Sequence, residues 1–214
     1  MAFSDQYPVR SRCVSLQLRL LDVGALSGTS YTAYPWIDVT SIDINPRSDE
    51  VIRSDFFDFP IPTGTTSEPK YDVVCLSLVI NFIGDLSKRG EALLRAHRYL
   101  VPAGWMYLVL PLACVTNSRY LTHERLQAIL ESCGWDIQRQ EDSARLTRWL
   151  CQRKQEPERK RKKSKSDHSV QEWDGVVWKK EEVRVSKTAN NFCIKVGPSG
   201  SGQSAKKIHS SRSD

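Results

Sequence analysis

The sequence is short of histidine, paired cysteine and long apolar runs, and each shortage closes a class of function. Four histidines stand in 214 residues, none at a spacing suited to a metal. Six cysteines are present, at 13, 75, 114, 133, 151 and 193, and no two form a CxxC pair. Several lie in apolar runs, where a free thiol behaves as a small hydrophobe. With no leader pattern at the N-terminus, a reducing compartment is the expected setting. No apolar run approaches the ~20 residues of a membrane helix. Neither a metal nor a membrane is expected. The first strand does not open into a GxGxxG loop, so a pyrophosphate cradle has little support.

What is present is globular. Hydrophobic residues make up 40%, with six Trp, seven Tyr and six Phe, enough for one core and a small appendage. The net charge of +6 is uneven. Residues 1–150 carry 15 Lys/Arg against 17 Asp/Glu, and residues 151–214 carry 16 against 8. The C-terminal part is therefore expected to meet an anionic partner.

Strands are expected at 16–23, 36–44, briefly within "EVIRSDFF", and at 71–82, whose continuous apolar character suits burial on both faces. Residues 85–100 repeat apolar positions with a helical period, "VPAGWMYLVLPL" turns into another strand, and "LTHERLQAILESCGW" is a helix with Thr122 as N-cap. Strands follow at 145–153 and 191–196, expected to pair as an antiparallel hairpin at one edge. This alternation predicts a mostly parallel sheet with covering helices. The expected organisation is an irregular segment 1–15, a core 16–153, a basic insert 154–190 projecting from the sheet, a final edge strand 191–196, and a disordered Gly/Ser-rich tail 197–214.

Ligands of open α/β sheets bind beyond the carboxyl ends of the strands. Asp22 and Gly24, in "LLDVGALSG", stand at the end of the first, though this stretch alone fits a plain strand-to-turn junction equally well. Asp43 ends the second strand, where a carboxylate can accept from both hydroxyls of a ribose. Asp55 and Phe56 end the third, suited to the amino group and the ring of an adenine, and Ser77 lies in the block that ends the fourth. Together these strand ends point to a nucleoside cofactor. Without a phosphate grip, and with acidic Asp22 beside the glycine turn, the one that fits is the cation S-adenosylmethionine.

"LLDVGALSG", "WIDVTSIDIN", "SDFFDFPIP", "YDVVCLSLVINFIGDLSKRGEALLRAHRYL" and "YLVLPLACVTNSRYLTHERLQAIL" resemble the fungal 25S ribosomal RNA adenine-N(1)-methyltransferase family. The resemblance covers residues 18–153, with a weaker echo at 191–196. It implies a Rossmann-like class I S-adenosylmethionine-dependent methyltransferase fold, mostly parallel with a C-terminal antiparallel hairpin. It also implies methyl transfer to N1 of an adenine in large-subunit rRNA or a pre-ribosome, by a monomer, in the nucleus and nucleolus. Asp22, Gly24, Asp43, Asp55, Phe56 and Ser77 would hold the cofactor. Asn81 and Phe82 would face the transferred methyl group, Asn81 on the base edge and Phe82 stacked on the ring. Arg119 and Tyr120, in "TNSRY", would meet phosphate and base, although a plain loop ahead of a helix reads the same stretch equally well. Family members carry a helical region ahead of the first strand, which this chain, starting about 15 residues before it, is expected to lack. The family is related to an animal S-adenosylmethionine sensor that acts through protein partners, and the binding residues alone do not separate the two. "ERKRKKSK" places six basic residues within 159–165, suited to phosphate backbone or nuclear import.

Overall fold

The computed structural model describes residues 17–154 and 173–198. The segment 1–15, the basic run 159–165 and nearly all of the tail 197–214 lie outside the described residues.

Seven strands form one sheet in the order β3-β2-β1-β4-β5-β7-β6. They are β1 Leu18–Val23, β2 Ile37–Asp43, β3 Ile52–Arg53, β4 Tyr71–Ser77, β5 Leu100–Pro111, β6 Trp135–Asp142 and β7 Leu146–Arg153. The first five run parallel, and β7 lies antiparallel between β5 and β6. β4 stops at Ser77, not at 82. Leu78 turns the chain at φ 58°, and a single 3₁₀ turn, Ile80–Phe82, follows.

Two helices carry the core. In α1, Leu86–Tyr99, the Asp85 carboxylate accepts from the amides of Ser87 and Lys88 at 2.7 and 3.2 Å. In α3, His123–Ser132, Thr122 accepts from the amide of Arg125 at 3.2 Å, the cap expected from sequence. A short α2, Ala113–Thr116, links β5 to α3. Leu93, Ala96 and Tyr99 of α1 and Leu126, Ile129 and Leu130 of α3 join one cluster with Leu21, Val23, Val74, Leu76, Met106, Leu108 and Trp149 of the sheet. All of those strand residues share one face by register. Both helices therefore cover the same side. The β1–β2 connection, residues 24–36, contains turns and bends but no helix.

The expected hairpin exists with a different partner. β7 pairs with β5 and β6, and 191–196 forms no strand. β6 escaped detection because seven of its eight residues are at least partly exposed, so "WDIQRQED" lacks alternation; only Trp135 is buried, stacked on His97 at 3.8 Å. Residues 192–194 and 196 are buried in succession, which suits docking between elements better than a half-exposed edge. There the Lys195 amide donates to the Leu86 carbonyl at 3.0 Å, and Arg89 donates to the Cys193 carbonyl at 2.8 Å. Gly90 makes this approach possible: a Cβ on it would lie 2.0 Å from the Lys195 carbonyl oxygen. That contact accounts for a glycine inside a helix, which costs ~1 kcal/mol relative to alanine. The described part of the insert, 173–190, does not project. It folds back against α2, α3 and the loop between them.

Candidate functional site

A cavity of about 1000 Å³ opens at the carboxyl ends of β1 to β5. Asp22, Gly24, Asp43, Asp55, Phe56 and Ser77 all line it, joined by Tyr31, Cys75, Leu78, Val79, Phe82 and Tyr107. The lining contains three carboxylates and no Lys, Arg or His. Such a wall repels a phosphate and attracts a cation.

The parallel register sets the positions. Ser41, Asp22, Cys75 and Tyr107 form one row across β2, β1, β4 and β5. Asp22 is 6% exposed, on the side away from α1 and α3. Burial pushes its carboxyl up to about 6, and a hydrogen bond from the Cys75 thiol partly opposes the rise. Burial, then the Asp22 charge, pushes Cys75 up to about 12, so the thiol stays protonated and is no nucleophile. Tyr31, from the β1–β2 connection, is likewise raised, chiefly by burial.

Gly24 has φ 81°, and a Cβ there would lie 2.8 Å from Val79 Cγ2. Both the turn and the closeness of the β4 loop thus require glycine. Asp43 accepts the Asn45 amide on Oδ1 at 2.6 Å, which orients the carboxylate and leaves Oδ2 without a partner among the described residues. Asp55 accepts the Phe57 amide at 2.9 Å. The turn after it is clamped by α1: Arg95 donates to the Phe56 carbonyl at 2.9 Å, Tyr99 donates to the Phe59 carbonyl at 2.7 Å, and the Phe56 and Tyr99 rings stack at 5.3 Å.

The acceptor-side residues divide. A 3₁₀ turn sends successive side chains in different directions. Ile80 enters the core, Phe82 stands at the cavity wall with 82% exposure, and Asn81 falls outside the lining. The Asn81 Oδ1 is buried and has no donor among the described residues. Arg119 and Tyr120 do not line the cavity either. The Arg119 guanidinium donates to the Ser186 carbonyl at 2.9 Å and to Asn191 Oδ1 at 2.5 Å, so it holds the C-terminal segment. Lys180 stands 4.5 Å over the Tyr120 ring.

Sequence reasoning missed Tyr31 and Tyr107 and read Cys75 as core alone. Register would have shown Cys75 and Tyr107 beside Asp22; Tyr31 lies in an irregular loop and carried no signal. Among the described residues no group of His, Cys, Asp and Glu could hold a metal ion, and no helix is long and apolar enough to cross a membrane. Cys75, Cys114, Cys133, Cys151 and Cys193 are buried free thiols.

The strand order and the cavity define the class: this is the Rossmann-like class I fold of S-adenosylmethionine-dependent methyltransferases. An S-adenosylmethionine-dependent methyltransferase from Methanosarcina mazei superposes with a TM-score of 0.52, covering 72% of this chain and 100% of its own at 15% identity, a likeness that speaks for the fold. The family described as 25S rRNA (adenine(2142)-N(1))-methyltransferase, Bmt2, matches residues 3–194, and the chain belongs to it. The 25S rRNA (adenine(2142)-N(1))-methyltransferase of Saccharomyces cerevisiae is 35% identical over 116 residues, 53% of this chain and 34% of that protein. The 25S rRNA adenine-N(1) methyltransferase of Schizosaccharomyces pombe is 27% identical over 195 residues, 87% of this chain and 64% of that one. The chain thus spans about a third and just under two thirds of these two relatives.

Proposed function

We propose that the chain binds S-adenosylmethionine in the cavity and methylates N1 of an adenine in large-subunit rRNA, as a monomer acting in the nucleus and nucleolus. The observation that carries this reading is the cavity lining: three carboxylates, no basic residue, and a glycine turn where a phosphate loop would stand in a dinucleotide enzyme. Family membership supports the substrate. The basic run 159–165 supports nuclear entry by its composition.

When bound, S-adenosylmethionine supplies a methyl group on a cationic sulfur. Asp43 Oδ2 is free to accept from ribose hydroxyls, and Phe56 and Asp55 offer an apolar wall and an acceptor to adenine. Asp22 meets the positive charge, which favours its ionised form and draws its pKa down from about 6. Neutral adenine carries an in-plane lone pair at N1 and attacks without prior deprotonation. Transfer would exchange the C–S bond of the cofactor for an N–C bond and move the positive charge to the base, with the cofactor held by Asp22, Asp43, Asp55 and Phe56. The protein's task is alignment and exclusion of water. Phe82 offers an exposed ring at the mouth on which an unpaired or flipped base can stack.

Calorimetry with S-adenosylmethionine on wild type and Asp43→Ala should show clear binding and its loss. Mapping N1-methyladenine in rRNA of a deletion strain, rescued with wild type or with Phe82→Ala, tests the reaction. Full restoration by wild type and reduced restoration by Phe82→Ala are expected. A profile untouched by deletion would leave a cofactor-binding protein that acts through protein partners.

A further inference from the structure

The cavity is acidic and the C-terminal segment is basic, and the second feature has no role in holding the cofactor. Resting on the RNA reading above, we propose that residues 178–195 form a ledge that binds the RNA backbone beside the cavity mouth.

The ledge is built onto the body. The Arg119 carbonyl accepts the amides of Val183 and Arg184 at 2.7 and 3.1 Å, while the Arg119 guanidinium holds Ser186 and Asn191. Arg184 donates back to the carbonyls of Thr116 and Ser118, and the Asn190 amide donates to Asn117 at 2.8 Å. At the far end, Lys195 docks on Leu86, over Gly90. Arg89 joins this end to the cavity wall: its guanidinium donates to the carbonyl of Ile83, a lining residue, at 2.7 Å and to the Cys193 carbonyl at 2.8 Å.

Its outer surface is cationic. Lys179, Lys180 and Lys187 are exposed, and no carboxylate among the described residues lies within ion-pair distance of them. Of the two acids in the same stretch, Glu181 is paired with Arg125 at 3.2 Å and Glu182 is exposed; against them stand Lys179, Lys180, Arg184, Lys187 and Lys195, which leaves the stretch net positive. Aromatic rings interleave with these cations: Tyr120 beneath Lys180, and Trp178 with Arg125 at 5.4 Å. Exposed cations that track a phosphate backbone are the sequence-tolerant part of RNA contact. The basic run 159–165 precedes this stretch in sequence. Arg119 is then a positioning residue: it holds the ledge instead of gripping phosphate itself.

The test is the triple variant Lys179→Gln, Lys180→Gln, Lys187→Gln in the full chain, with thermal unfolding as a control for folding. Binding to an unpaired large-subunit rRNA fragment is titrated with salt, and S-adenosylmethionine binding is measured by calorimetry. Three lost phosphate contacts should weaken RNA binding at least ~10-fold at low salt and reduce the log–log salt slope by about two to three. Cofactor affinity should not change. Wild-type affinity and slope in the variant would overturn the ledge, as would loss of a protein partner with RNA binding intact through the exposed Val183 and Val185. A wild type that binds cofactor but no RNA overturns it too. A wild type that binds no S-adenosylmethionine refutes the underlying cofactor reading, which the calorimetry reports separately.

Discussion

The two faces of the sheet are built from the same strands and do different work. On the helix side, Leu21, Leu76, Met106 and Leu108 have no exposure at all, locked under α1 and α3. On the other side, Leu20 and Val109 are buried, but Leu18, Ile37, Val39, Val73, Trp105, Tyr107 and Leu150 are only partly so. That second face carries the polar row Ser41–Asp22–Cys75, and the cavity opens over its carboxyl end. One face holds the fold together, and the other leaves room for a ligand and tolerates a buried carboxyl whose protonation is costly to change. Burial density on one side is what permits strain on the other: Leu78 at φ 58° sits next to Val79, both at the cavity wall.

The largest expected effect compares like with like. Leu108→Ala, on the packed face, should cost ~2–5 kcal/mol of unfolding free energy by urea titration. Leu150→Ala, the same change one strand over on the open face, should cost under ~1.5 kcal/mol. Equal losses would erase the distinction between the faces.

The next effect is one of pH, and each face supplies an opposite sign. On the helix side, His97 donates through Nε2 to the Cys133 carbonyl at 2.7 Å, and burial, assisted by nearby Arg153, pushes its pKa down to about 3. The native state binds that proton less readily than the unfolded chain, so stability falls as pH drops below 6.5. Asp22, facing Cys75 and Tyr31, is raised from 3.8 to about 6, so the native state holds its proton more tightly and stability rises as pH falls from about 6 towards 4. Between pH 7 and 5 the His97 loss of ~2 kcal/mol is offset by an Asp22 gain of ~1 kcal/mol. Asp22→Asn should expose the full His97 loss in urea titrations at the two pH values. A pH dependence identical to that of wild type would refute the assignment to Asp22.

Gly24→Ala comes third. The φ of 81° and the Val79 contact should cost ~1–2 kcal/mol in stability, while S-adenosylmethionine binding should disappear in calorimetry. Retained affinity would show that the turn is structural only. The smallest change is expected for Phe82→Ala. At 82% exposure it should alter stability by less than ~0.5 kcal/mol in thermal unfolding, yet lower methyl transfer to RNA in a turnover assay.

The strand-end lining of the cavity was legible because strand ends are local. Asp22, Gly24, Asp43, Asp55, Phe56 and Ser77 each follow an apolar, β-branched run, and a parallel sheet brings all such ends to one edge. The acceptor side was not legible, because it depends on direction and on distant partners. Asn81 and Phe82 are neighbours in sequence, and the 3₁₀ turn separates them. Arg119 reads as a phosphate ligand until Ser186 and Asn191 are found against it, more than 60 residues further along the chain.

The sequence by itself determined the parallel core, the cap of α3, and the set of acids and glycine that line one cavity, since periodicity, capping and strand-end chemistry are short-range properties. Tertiary structure alone decided that both helices lie on one face and that β7 pairs with β5 and β6. It also decided that Gly90 admits the Lys195 carbonyl and that 173–196 returns to the body as a basic ledge. Those outcomes rest on which distant surfaces meet, and a contact across 100 residues leaves no periodic trace in the chain that makes it.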